Sequence, residues 1–517
     1  MTSDAPRDTR WNLRLALFLL GSGLLIYHAL FFDFLNDDAF ISFRYADNLA
    51  RHGQLVFNLG ERVEGYTNFL WTVIMAGVIW VGQDPGVWSR VLGIALAVGT
   101  LGVVMNFIAH TRGRTSPLDA IGAFLLAGAP AYACWSTGGL ETQLFTCLIT
   151  LGLTSYLRAR SGYPERLPRS GIWFALAAMT RPEGMLILGL VAIHHYLEML
   201  LLEKRWQPNR REWVWALMFL GLFVPFFAWR WIYYGWPFPN TYYVKTGASG
   251  FWSPGARYLW SWVSIHWLWF FPVLAFFAQR ALDRSHRRLL TLSSLVIIVH
   301  ILHVTRVGGD FMALHRFFVP IMPVMAIVAA LGLAHLFTRY GTTHRWLTTA
   351  AVVVSIGLAT AHVIKVDQHA MTDGSDQGVD RIGWLKKFHG QCEAIGKWLG
   401  ENAQPDASIA TTAAGIIPYY SRLYTVDILG LNDEWVAHNV PAHGHRPGHT
   451  KSAPLSYILK KDVDYLVYHP TIAKEPPGRR AAEKRLWRRR GYTWRSVKVP
   501  ALTPPWWGFW QRADGNQ

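Results

Sequence analysis

Two adjacent carboxylates, Asp37 and Asp38, follow an apolar run and open the stretch DDAFISFRYADNLARHGQLVFNLGERVEGYTNFLW. One aspartate at such a place caps a helix, because its oxygen accepts from backbone N–H groups that lack intrahelical partners. A second, with Glu64 further along, exceeds what capping needs and points to acid/base work or cation binding. The residues that follow have helical periodicity. Ile41, Tyr45 and Leu49 share one side, and Arg44, Asp47, Asn48 and Arg51 the other. A helix so divided, beside a membrane span, is expected to lie in the interface plane with its charged stripe toward water.

A second group of residues suits an anion. His315 and Arg316 end the string GGDFMALHR at the start of an apolar run, where a membrane-embedded phosphate would sit. Arg offers bidentate contact to phosphate oxygens. Arg306, Lys245 and Arg181 are further candidates; the alternative for all of them is interfacial snorkelling. Asp310, after Gly308 and Gly309, could hold a sugar hydroxyl, support a cation or simply close a turn. Glu64, Tyr66 and Asn68 in VEGYTN, together with Arg44, suit recognition of sugar hydroxyls or packing at the interface. Asp427 in VDILGLND could reach an acceptor or close a strand end. Glu141 in GGLET reads as a helix-start carboxylate rather than a ligand.

The elements that must position these residues are membrane spans. The chain has 517 residues, 51% apolar and only 16% charged. Soluble proteins usually carry about 25% charge. Long, mostly uncharged runs occupy 12–32, 87–109, 118–134, 140–158, 214–234, 259–280, 289–305, 317–337 and 347–364. Each approaches the ~20 residues a helix needs to cross hydrocarbon. The run 171–201 is interrupted by TRPEG and reads as a hairpin of two helices, whereas 69–82 is short and reads as re-entrant or juxtamembrane. The net charge of +17 gathers in short loops between these runs. That is the signature of cytoplasmic loops, not of nucleic-acid binding. A basic segment at 474–490 reads as a solvated face or a contact with anionic lipid.

With every basic loop inside, about eleven crossings result, and the polar motifs fall together on the outer face. A transporter would place its site near the midplane instead. The expected fold class is a polytopic α-helical membrane protein, residues 1–364, with a first outer loop at 33–68. Residues 365–517 are expected to form a soluble α/β domain on the periplasmic or extracellular side. There WLKKFHGQCEAIGKWLGEN reads as a helix, ASIATTAAGIIPYYSRLYTVDILGLND as strand, helix start and strand, and VDYLVYHP as a strand. HGHRPGH (443–449) clusters histidines but has no accompanying carboxylate, and reads as a loop. His194, His195, His300 and His303 lie in apolar runs with no visible carboxylate partner, which suggests neutral interhelical hydrogen bonds. Cys134, Cys147 and Cys392 form no disulfide or zinc pattern. No nucleotide-cradling loop, GxSxG or HExxH is present.

The string from Asp37 to Trp71, followed in order by GGLET, TRPEG, GGDFM with HRFFVP, and IPYYSRLYTVDILGLND, resembles the terminal β-(1→2)-arabinofuranosyltransferases (AftB type) of the GT-C superfamily. The resemblance implies an inverting transferase that takes a sugar, D-arabinofuranose by analogy, from a decaprenyl- or undecaprenyl-phosphate type lipid. The acceptor would be an envelope glycan or surface protein, at the outer face of the bacterial cytoplasmic membrane. It also implies that Asp37 or Asp38 is the general base, since a sugar hydroxyl must lose its proton to a carboxylate as the glycosidic bond forms. Dependence on a divalent cation stays open, because Arg alone can handle a lipid phosphate, while Asp37, Asp38 and Asp310 could bind a cation. Two other readings remain: a different polyprenyl-phosphate sugar, or a non-catalytic assembly factor for a surface appendage.

Overall fold

A computed structural model describes residues 5–163, 165–245, 251–277, 284–340, 345–443, 446 and 449–513. The chain divides by contact into two compact units. The first comprises 1–33, 89–228 and 251–372; the second comprises 34–88, 229–250 and 373–517. The expected first outer loop thus groups with the C-terminal region.

The first unit is helical. Among the described residues six helices are long and apolar enough to cross a membrane: Asn12–Phe32, Pro85–Thr111, Glu183–Leu201, Arg210–Tyr234, Arg284–Arg306 and Ala313–Phe337. The expected run 118–134 is not one helix. It breaks into Pro117–Ala120, Ile121–Ala127 and Pro130–Cys134, with Ala129 extended before the proline. The proline ring excludes the helical conformation from the residue before it. TRPEG does form the expected hairpin tip, with helix Arg166–Thr180 ending at an extended Arg181 and helix Glu183–Leu201 beginning beyond Pro182.

Two histidine expectations separate here. His194 makes neutral interhelical contacts, to the Tyr156 hydroxyl at 3.3 Å and to Thr291 Oγ1 at 3.0 Å. His195 is a correction. Its Nε2 lies 2.9 Å from Glu212 Oε1, a carboxylate on the next helix that spacing along one run could not reveal.

The second unit contains the α/β element. Strands β1 (Ser408–Thr411), β2 (Tyr424–Asp427), β3 (Tyr465–Ala473), β4 (Tyr492–Lys498) and β5 (Trp506–Arg512) form one sheet in the order β2-β1-β3-β5-β4. β1 runs parallel to β2 and β3, and β5 antiparallel to β3 and β4. Helix Ile382–Asn402 and helix Ile416–Ser421 occupy the expected stretches. Ala410, Val426, Leu466, Val436, Trp487 and Trp510 belong to one buried apolar core. Of the histidine-rich loop, His445 lies outside the described residues. His443 donates its backbone N–H to the Thr450 carbonyl at 2.8 Å.

Helix Asp37–His52 packs against helix Phe69–Trp80 and against Ile416–Ser421. Residues 39–47 of it are buried on both stripes. Of the charged stripe, Arg44 and Asp47 are buried, Asn48 is half-buried and only Arg51, at its end, is exposed. Periodicity separated the two faces correctly, but the polar one meets other protein segments whose carbonyls replace water.

Candidate active site

Helix Asp37–His52 is capped by Asn36, whose side chain accepts from the Asp38 N–H at 2.9 Å. Neither aspartate takes the capping role expected of one of them. The Asp37 carboxylate reaches across instead to the segment before helix Ile416–Ser421. Ile416 N–H donates to Oδ1 at 2.8 Å and Gly415 N–H to Oδ2 at 3.2 Å. Gly415 allows this approach, because a Cβ there would stand 1.8 Å from the Asp37 carbonyl oxygen. Burial pushes the Asp37 carboxyl up to about 7. The charges of Asp38 and Asp427 add to the rise, and the two N–H bonds oppose it. The result is an oriented carboxylate that gains and loses its proton near neutral pH.

The surrounding polar residues are mostly spent on holding this frame. Arg44 donates to the Phe57 and Leu423 carbonyls at 2.7 Å each, to Asn58 Oδ1 at 3.2 Å and to the Pro418 carbonyl. It ties the helix to two chain segments rather than presenting its guanidinium outward. Glu64 and Arg230 form a buried ion pair, with Arg230 Nε at 3.0 Å and 3.1 Å from the two carboxylate oxygens. Tyr66 is buried with its hydroxyl 3.1 Å from that of Tyr234. Asn68 exchanges hydrogen bonds with Ser42 at 3.0 Å and 3.1 Å.

Asp427 is wholly buried and accepts from Leu429 N–H, Gly430 N–H, Asn432 N–H and the Asn432 amide. It closes the turn after β2, which is the structural alternative of the two considered. Lys245 ends helix Asn240–Lys245 and is exposed.

In the first unit, Arg181 and Arg316 line one pocket with Thr142, Glu183, His300 and His303. Their hydrogen bonding differs. Arg181 is clamped on two carboxylates, Nη1 to Glu141 at 2.6 Å and Nη2 to Glu183 at 2.8 Å, so Glu141 is an ion-pair partner. Arg316 gives its Nε to Asp310 at 2.7 Å. Its two Nη groups make no hydrogen bond among the described residues, and its guanidinium lies 5.2 Å from the rings of both Trp135 and Phe317. That is a fork with one prong anchored and two left to offer. Asp310 is thus the anchor of Arg316, a role the GGDFM spacing did not single out. His315, although adjacent, does not line the pocket; its ring packs on Tyr258 at 4.8 Å. Arg306, the last residue of its helix, is exposed. The described residues bring together no group of three or more His, Cys, Asp or Glu side chains able to hold a metal.

Comparison with known structures places the fold. ArnT from Cupriavidus metallidurans, in its crystal structure bound to undecaprenyl phosphate, superposes with a TM-score of 0.57 at 14% identity. The match covers 97% of this chain and 99% of that one. The chain therefore shares the overall fold of that protein. In sequence, the chain is similar to proteins named terminal beta-(1->2)-arabinofuranosyltransferase. It is 27% identical to the one from Mycobacterium tuberculosis over 62% of this chain, and 28% identical to the one from Corynebacterium glutamicum over 57%. The matches span 57% and 48% of those relatives, about half their length. Residues 381–510 match a family model described as a domain of unknown function (DUF8728).

Proposed function

We propose that this protein transfers a sugar, most simply D-arabinofuranose, from a polyprenyl-phosphate donor to an acceptor hydroxyl at the outer face of the bacterial cytoplasmic membrane. The observation that carries the reading is the Asp37 carboxylate, fixed by two backbone N–H groups and raised to about 7. A general base is most effective with its pKa near the working pH. The names of the relatives point to arabinofuranose, and the lipid in the ArnT structure points to the donor class.

In the proposed reaction the acceptor hydroxyl oxygen attacks the anomeric carbon from the face opposite the phosphate. Its proton passes to Asp37, the carbon–oxygen bond to phosphate breaks, and polyprenyl phosphate leaves with the electron pair. The configuration inverts. Asp38 raises the basicity of Asp37 through its charge. We assign the phosphate to Arg316, whose Nη groups can pair with two oxygens while Asp310 holds Nε. Arg181 then serves to hold the wall of that pocket.

The test is turnover of a radiolabelled polyprenyl-phosphoryl arabinofuranose by purified protein. Release of polyprenyl phosphate, lost in Asp37→Asn, supports the assignment. Release at the wild-type rate in that variant contradicts it. No turnover with any lipid-linked sugar favours the assembly-factor reading.

A further inference from the structure

The two residues that end GGDFMALHR face different surroundings, and the His315 side is not explained by the transfer reaction. His315 is 4% exposed, and neither ring nitrogen has a hydrogen-bond partner among the described residues. The same holds for His266 Nε2, whose other nitrogen contacts the Trp262 carbonyl at 3.0 Å, and for Trp262 Nε1. Ring contacts link these groups. His315 lies against Tyr258 at 4.8 Å, Tyr258 against Phe318 at 5.5 Å, Phe318 against Trp262 at 4.5 Å and Trp262 against His266 at 5.4 Å. Four buried nitrogens thus lie along one seam of helix Trp252–Phe277 and the segment Ala313–Ile321, and the Tyr258 hydroxyl, likewise without a hydrogen-bond partner among the described residues, lies there with them.

Native interiors rarely leave such atoms unsatisfied, because each lost its bonds to water on burial and gains none in return. A buried water typically makes two to four bonds to such groups. The chemistry of the lining narrows the occupant. An indole N–H has no lone pair to give a cation, and the group contains no fixed positive charge for an anion. A small neutral molecule that both donates and accepts fits all four atoms.

The backbone supplies a second observation. Leu314 and His315 both take left-handed conformations, with φ of 52° and 57°. Residues with a Cβ are strained there and persist only when their surroundings over-determine them. Gly309, at φ 77°, lets the loop close on Tyr258, since a Cβ would stand 2.4 Å from that ring. The turn sends His315 toward the seam and Arg316 toward its pocket.

We propose that His315, His266 and Trp262 form an internal hydration site holding ordered water, and that through it His315 is a positioning residue for Arg316. The second half rests on the assignment of the lipid phosphate to Arg316; the first does not.

A high-resolution structure of the full chain in lipid nanodiscs tests the site. Density within hydrogen-bond distance of at least two of the four atoms is expected. Dry imidazoles, or nitrogens bonded to other side chains, overturn it. For the positioning role, His315→Phe keeps a ring and loses both nitrogens. We expect at least a tenfold fall in kcat with little change in KM for the lipid donor, and recovery in His315→Gln. Equal loss in both variants, or none in either, overturns the role. If Arg316→Lys leaves turnover intact while the density is present, the phosphate assignment fails and the hydration site stands.

Discussion

Asp37 in one unit and Arg316 in the other are each anchored by hydrogen bonds that suit the charged form, yet their surroundings differ. Asp37 is held by two uncharged N–H groups in a setting where burial and two neighbouring carboxylates oppose its charge, so its carboxyl rises to about 7. Arg316 is held by a carboxylate that favours its charge, and two of its donor groups are left to offer. The group proposed to change protonation is thus surrounded by like charge, and the group proposed to bind phosphate is paired. Arg181 shows the other extreme. With Glu141 and Glu183 both bonded to it, it contributes structure to the same pocket.

Five substitutions would break or sharpen this contrast. The largest effect is expected from Asp37→Asn, which removes the proton acceptor; turnover of the lipid-linked sugar should fall about 10²–10⁴-fold. The fold should survive, checked by unchanged elution and circular dichroism. Next, Glu64→Ala leaves the buried Arg230 charge without its carboxylate. Breaking such a pair costs about 3–5 kcal/mol, read as a lowered Tm in detergent. Because the pair is buried and bonded internally, the loss should appear in stability before it appears in KM for the donor.

Arg316→Ala should lower kcat by about 10²–10³-fold, the usual cost of losing one preorganised donor to a developing anion. Arg181→Lys should instead act mainly through pocket stability, which separates the two arginines by assay. The smallest effect is expected from Asn36→Ala. Loss of an N-cap costs about 1 kcal/mol, measured by thermal unfolding.

Much of this was legible in the sequence, because it follows from local rules. The apolar runs, the break at TRPEG and the strands β1, β2 and β3 all follow from periodicity and composition. What was not legible depends on partners distant along the chain. Arg230 is separated from Glu64 by an entire set of helices, and only folding brings the two together. The polar stripe of helix Asp37–His52 reads as solvent-facing because its intended partners, carbonyls at 57, 418 and 423, carry no side-chain signature. Asn36 does not stand out as the cap because two aspartates, equally good capping residues, follow it directly. β4 and β5 escaped for a different reason. YTWRSVK and WWGFWQR are aromatic and β-prone, but the basic run before them gives that segment the composition of a solvated face.

The role of Asp37 as base is tested most directly by the pH dependence of kcat/KM for the lipid-linked donor. The carboxylate form is the active one, so activity should rise with pH through about 7, the value to which burial and its neighbours bring Asp37. Removing the Asp38 charge with Asp38→Asn should lower the Asp37 pKa and move that rise to lower pH while turnover persists. A profile flat across pH 5–8, or one that Asp38→Asn leaves in place, would contradict the account.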